Sequence, residues 1–247
     1  MEGWHMFEID YSEIENNNLN DLVLENGLVV IRNAELDMQG FEDIANGLGR
    51  LLKTNLHAIN EKRNIQELSN NELLRDGDVD WHNDWSYGRG NYYGTMLYNV
   101  KNAHLSETWF VDTSKVPDWL REEYKECVGY YWLPQFDGEV QAFGTDSEIR
   151  KCFTEKQLKI LEKYVQQRPF IQNHFKTDEE LLYCSLGTLQ KMDNEREVDT
   201  FRKYCDENNY KHKWQEGDIL LWDNLKMIHK RFAFAGDRML WRTQFSI

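Results

Sequence analysis

Seven short runs rich in aromatic and β-branched residues constrain the fold more than any other feature of this chain. They are NYYGTMLYNV (91–100), ETWFVDT (107–113), YYWLPQF (130–136), LLYCSLG (181–187), DILLWDN (218–224), MIHKRFAF (227–234) and RMLWRTQFSI (238–247). Each has the length of a strand and is bounded by turn residues, a pattern that builds sandwiches and barrels. LVLENGLVVIRNA (22–34) reads as a further strand, a turn at Asn26-Gly27 and another strand, with NNNLND (17–22) as a loop before it. Helical spacing interrupts the runs in four places. GFEDIANGLGRLL (40–52) places Phe41, Ile44, Ala45, Leu48 and Leu52 on one side, and EREVDTFRKYC (195–205) does the same with Val198, Phe201 and Cys205. TEKQLKILEKYVQQ (154–167) opens with the capping-box pair Thr154 and Gln157, and VPDWLREEYKEC (116–127) has Pro117 near a helix start. The expectation is a mainly β fold with flanking helices. No repeat or linker divides the 247 residues, so a single domain over 1–247 is expected.

Charge then narrows the partners. The chain carries 43 acidic against 29 basic residues, a formal charge of −14, with no Lys/Arg run. That disfavours nucleic acid and anionic membrane, which are held through basic surplus, and leaves a small molecule as the expected partner. Four cysteines (Cys127, Cys152, Cys184, Cys205) lack any C-x-x-C spacing and read as reduced, partly buried thiols. The opening MEGWHMFEIDYSEIENNNLN has neither a basic nor an apolar leader segment, and no apolar run approaches a membrane span. A cytoplasmic location is expected; the oligomeric state, a homo-oligomer included, is left open.

The candidate chemistry begins at DVDWHNDWSYGRG (78–90). On a strand His82 and Asp84 point to one face while Asn83 points away. H-x-D arises easily by chance, and a lone histidine is more often a hydrogen-bonded core residue than a ligand. An ionised Asp84 between Trp81 and Trp85 is nonetheless costly to bury without a metal or a cation. His229, in EGDILLWDNLKMIHKRF (216–232), would complete two histidines and one carboxylate, the donor set of non-haem Fe(II) sites. Arg238 and Arg242, four apart on the final run, share a strand face. Their planar forks suit carboxylates, on a small molecule or on some of the 43 acids.

Together these segments resemble the TauD/TfdA (taurine dioxygenase-like) family. NGLVVIRNAELDMQGFEDIANGLGRLL (26–52) is similar to its N-terminal strand and helix. DWHNDWSY carries the W-H-x-D motif, SETWFVDTSKVPDWL the strand that leads into a helix, GDILLWDNLKMIHKR the G-D…W-D-N…H segment, and RMLWR the R-x-x-x-R pair. The resemblance spans nearly the whole chain, with the segments in order.

It implies a double-stranded β-helix core, a distorted, cupin-like jelly roll. It also implies Fe(II) held by His82, Asp84 and His229, with 2-oxoglutarate and O2 as co-substrates. Thr108 and Arg238 would meet the far carboxylate of 2-oxoglutarate, and Arg242 would fall where a substrate anion binds. A register with Arg242 as the cofactor anchor is also open, because the loop from His229 to Arg238 is short. His57 sits where taurine-type enzymes contact substrate. Asp78 and Asp80 are placed to meet an ammonium group or to be solvated loop acids, and Trp85, Tyr87 and Trp241 to wall a pocket or to belong to the core. The implied reaction is hydroxylation of an unactivated C–H in a small carboxylate-bearing molecule, a free amino acid being one candidate, with release of succinate and CO2. Intact Asp84 favours hydroxylation over halide transfer. A sulfonate or other small acid as substrate and a desaturation outcome are the near alternatives. A zinc hydrolase, or a non-catalytic jelly-roll binding protein, is the distant one. The arginine pair argues against the first and the intact H-x-D…H set against the second.

Overall fold

The strands of this protein alternate between two apolar environments, and that alternation defines its layers. The computed structural model describes residues 6–52, 64–69, 77–87, 94–131, 166–193 and 197–246. In chain order the elements are β1 (Phe7–Asp10), α1 (Leu19–Asn26), β2 (Leu28–Arg32), α2 (Met38–Leu48), β3 (Arg50–Leu51), β4 (Gln66–Ser69), β5 (Val79–His82), β6 (Gly94–Lys101), β7 (Thr108–Asp112) and α3 (Asp118–Tyr124). They continue with β8 (Val128–Tyr131), β9 (Gln166–Pro169), β10 (Ile171–Asn173), β11 (Glu180–Leu182), β12 (Leu189–Met192), α4 (Asp199–Glu207), β13 (Tyr210–His212), β14 (Ile219–Asp223), β15 (Met227–Arg231) and β16 (Met239–Ser246).

A seven-stranded sheet runs β1-β2-β14-β6-β16-β3, with β4 also on β16, and a four-stranded sheet runs β13-β7-β15-β5. Leu28 and Val30 of β2, Leu220 and Trp222 of β14, Leu97 of β6 and Leu240 of β16 pack inward against Phe110 of β7 and Met227 of β15. The intervening residues Val29, Ile31, Ile219, Leu221, Met96 and Phe245 pack outward against Phe41, Ala45 and Leu48 of α2. On the far side of the small sheet, Val111 and Ile228 pack with Leu120 and Tyr124 of α3 and Phe201 and Cys205 of α4. Because side chains alternate along a strand, parity alone puts Thr95, His229, Arg242 and Gln244 in the gap between the sheets. The mainly β, jelly-roll expectation holds.

Two local readings are corrected. Residues 22–26 form the end of a helix, not a strand, and 17–22 is not a loop. The Asn18 carboxamide accepts hydrogen bonds from the Asn20 and Asp21 amides and starts α1, while Gly27 at φ +74° ends it. Pro117 stands at the start of α3 as expected, as its N-cap. LLYCSLG pairs only as far as Leu182 before a 3-10 turn over Leu186–Thr188. The helix expected over 154–167 lies outside the described residues except Gln166 and Gln167, which belong to β9. Cys127, Cys184 and Cys205 are buried free thiols, and Cys152 lies outside the described residues. Among the described residues no helix is long and apolar enough to cross a membrane.

Candidate metal centre

Strand register brings the two histidines together. His229 of β15 lies directly opposite His82 of β5 on one side and Phe110 of β7 on the other. The two imidazoles approach to 4.1 Å between ring centres. The Trp222 ring stands edge-on to His229 at 5.0 Å, and Phe110 stacks on it at 5.9 Å. A wall of aromatic rings therefore fixes the His229 imidazole. Its pKa is held down to about 3 by burial and by neighbouring His82, against the opposing pull of Asp84. His82 Nδ1 lies 2.7 Å from the Asp80 carbonyl, a contact that places the proton on Nδ1 and leaves the Nε2 lone pair for a metal.

Asp84 reaches the histidines from a turn, which corrects the expectation of two ligands on one strand. β5 stops at His82, and Trp85, two residues into the turn, takes φ +56°. Asn224, just past β14, holds this turn. Its side-chain oxygen accepts the Asp84 amide at 2.8 Å, its Nδ2 donates to the Asp84 carbonyl at 2.9 Å, and its own carbonyl accepts Asn83 Nδ2 at 2.8 Å. The Asn83 side chain thus turns to Asn224. The result is convergence: Asp84 Oδ1 lies 3.6 Å from His82 Nε2 and 3.8 Å from His229 Nε2. The three donor atoms fall within 4.8 Å of one another. Two imidazoles and one carboxylate, all buried and converging, would fit a divalent transition metal.

The second oxygen of Asp84 is held from the opposite sheet. Gln244 Nε2 donates to Oδ2 at 2.9 Å and Thr95 Oγ1 donates at 3.1 Å, while Trp85 Nε1 donates to Gln244 Oε1 and so orients the amide. Arg242 donates from Nη1 to Oδ1 at 3.3 Å and from Nε to Gln66 Oε1 at 2.8 Å. Burial would raise the Asp84 carboxyl, but Arg242 and the two imidazoles outweigh it and hold it far below the usual carboxylate range.

Farther along the gap, Arg238 is almost wholly buried, its guanidinium carbon 5.0 Å from the centre of the Phe234 ring. Thr108, the first residue of β7, is buried and accepts a hydrogen bond from Trp214 Nε1 at 3.0 Å. Other candidates fall elsewhere. Asp78 Oδ1 accepts the Ala233 amide, and Asp80 is buried in an ion pair with Arg202 of α4, so it is not a solvated loop acid. Trp241 packs on the outer face against Phe41 and Tyr98, which excludes it from the gap. His57 lies outside the described residues. Asn224, Thr95 and Gln244 had no role assigned from sequence. Gln244 was within reach of parity, because it follows Arg242 by two on the same strand face.

The Taurine catabolism dioxygenase TauD, TfdA family matches residues 5–244. No curated protein sequence matches the chain. Among solved structures, a taurine dioxygenase from Burkholderia xenovorans is 17% identical at a TM-score of 0.68, covering 96% of this chain and 81% of its own. AAD-2, solved with Mn(II) and N-oxalylglycine, is 15% identical at a TM-score of 0.70, covering 99% and 94%. PvcB, an Fe, alpha-ketoglutarate dependent oxygenase from an isonitrile synthetic pathway, has the same identity and TM-score and covers 99% and 87%. The order of the strands, the converging His-Asp-His set and the match over almost every residue lead to one conclusion: the chain belongs to the TauD/TfdA family of Fe(II)- and 2-oxoglutarate-dependent dioxygenases.

Proposed function

We propose that this enzyme hydroxylates an unactivated C–H bond of a small carboxylate-bearing molecule, a free amino acid being the leading candidate, with His82, Asp84 and His229 as the iron ligands. Bound iron and 2-oxoglutarate supply the oxidant from O2, as the co-substrate loses CO2 and becomes succinate. The chain's own residues do the placing. Gln244 and Thr95 hold Asp84 Oδ2, so Oδ1, which lies near both histidines and also accepts from Arg242, is the oxygen that would ligate the metal. The aromatic wall of Phe110 and Trp222 shields the His229 side of the site from water.

The observation that carries the substrate class is the position of Arg242. Its guanidinium touches the metal-ligand carboxylate through Nη1 and Gln66 through Nε, which sets its charge beside the metal site where a substrate anion would bind. A 2-oxoglutarate chelated at these ligands would carry its far carboxylate two methylenes beyond its metal-binding end, away from an arginine that touches Asp84. Arg238, with Thr108, is therefore the cofactor anchor, and Arg242 the substrate-anion residue. Asp78 is engaged by Ala233 and has no part in this reading. A sulfonate would satisfy the same arginine. The buried free thiols Cys127, Cys184 and Cys205 suit a reducing compartment such as the cytoplasm.

Anaerobic addition of Fe(II) and 2-oxoglutarate is expected to produce a visible charge-transfer band that Asp84→Ala and His229→Ala abolish. Succinate release, screened over amino acids and sulfonates, identifies the substrate, and product mass separates hydroxylation from desaturation. Arg242→Ala should weaken substrate binding while 2-oxoglutarate still binds. The reverse result would exchange the two arginine roles, and absence of the band with zinc-dependent hydrolysis would sink the proposal.

A further inference from the structure

The inner face of β15 carries one more charge than the site above uses. Arg231 follows His229 by two, so it points into the same gap, and its Cα is paired with that of Thr108 on β7. It is only 9% exposed, and its Nη2 donates to the Gly77 carbonyl. Its guanidinium carbon lies 5.2 Å from the centre of the Phe234 ring, the same ring that Arg238 covers at 5.0 Å. Two buried guanidiniums thus share one aromatic platform, and strand pairing sets Arg231 beside Thr108.

The electrostatics agree with the geometry. Burial, and then the charge of Arg231, push the Arg238 guanidinium down to about 9. Two like charges held together away from water repel strongly, and an anion placed between them relieves both the repulsion and the desolvation. The hydroxyl is also prepared for an anion. Thr108 Oγ1 accepts from Trp214, so its own proton is left to donate.

We propose that Arg231 is a second guanidinium for the far carboxylate of 2-oxoglutarate, completing with Arg238 and Thr108 a three-residue clamp that selects dicarboxylic 2-oxo acids over monocarboxylic ones. The inference rests on the assignment of Arg238 as the cofactor anchor. It adds a residue to that pocket, and Trp214 as the residue that positions the Thr108 hydroxyl.

The test is calorimetric binding to the Mn(II)-loaded protein, which needs no turnover. The two ligands are 2-oxoglutarate and 2-oxovalerate, which have the same chelating end and differ at the far carboxylate. Wild-type protein should prefer 2-oxoglutarate. Arg231→Met is expected to weaken 2-oxoglutarate about ten- to a hundredfold, the loss typical of a charge-assisted hydrogen bond, and to leave 2-oxovalerate unchanged. Arg231→Lys, which keeps the charge and loses the fork, should fall between. An Arg231→Met protein that keeps the wild-type preference overturns the proposal, and if Arg238→Met abolishes that preference the Arg238 assignment still stands. A wild-type protein with no preference overturns both. Should Arg231→Met bind neither ligand, Arg231→Lys decides: a reduced preference supports the clamp and an unchanged one overturns it.

Discussion

Asp84 owes its position to residues that no local pattern announces. His82, Asp84 and His229 are legible because metal chemistry restricts ligand types and because H-x-D has a recognisable spacing. Gln244, Thr95 and Asn224 are not, since each acts through hydrogen bonds to Asp84, 11 to 160 positions away, and such bonds leave no mark on nearby sequence. Their effect is nonetheless testable. Gln244→Leu removes the donor to Asp84 Oδ2 and strands the Trp85 indole N–H, so metal affinity should fall about 10–100-fold, as for other outer-shell partners of metal ligands. Gln244→Glu keeps the shape but sets one carboxylate against another, and should fall further. Titration with Mn(II) followed by electron paramagnetic resonance measures both. Unchanged affinity in the two variants would mean that Thr95 alone suffices.

At the scale of elements, most runs of alternating aromatic and β-branched residues were recognisable as strands, and α2, α3 and α4 were recognisable from their apolar spacing. The error at α1 is instructive. Leu22, Val23 and Leu24 have strand-like composition, but Asn18 supplies an N-cap and Gly27 a C-terminal stop, and these caps outweigh a weak propensity. The end of β5 at His82 was equally hidden, because the turn that follows is stabilised by Asn224 from another sheet. Pairing also imposes demands that composition does not reveal. Gly94 begins β6 directly opposite Phe245, and a Cβ there would sit 2.1 Å from the Phe245 ring. Gly94→Ala should therefore destabilise the fold by about 1–3 kcal/mol, the usual penalty for overpacking a core. Chemical denaturation measures the loss, and Phe245→Leu in the same chain should recover part of it.

For the whole molecule, sequence suggested a sandwich but not which strands would be neighbours. β14 enters the large sheet between β2 and β6, so residues far apart in the chain become partners, and a choice of that kind depends on packing across the entire core. Acid stability is another property of the whole. An unfolded histidine titrates near 6.5, whereas burial and His82 hold folded His229 near 3, so below about pH 6.5 the unfolded chain takes up a proton that the native state refuses. His212, also lowered by burial although Asp218 opposes it, adds in the same direction. Asp84 contributes only at lower pH, where protonating its depressed carboxyl costs stability in turn. The metal-free protein should thus lose stability as pH falls from 7 to 5, on the order of 2 kcal/mol from His229 alone. Thermal melts at the two pH values check this, and His229→Gln should flatten the decline.

The metal centre draws on both sheets: the histidines stand on the four-stranded one, and Asp84, in the turn that follows β5, is gripped by Thr95, Arg242 and Gln244 of the seven-stranded one. A bound ion is consequently a rivet through the sandwich, and its grip reports the width of the gap. Thinning the apolar layer that Leu97, Phe110 and Leu220 share would let the sheets drift and would register first as a slackened hold on the metal, before the fold itself gave way.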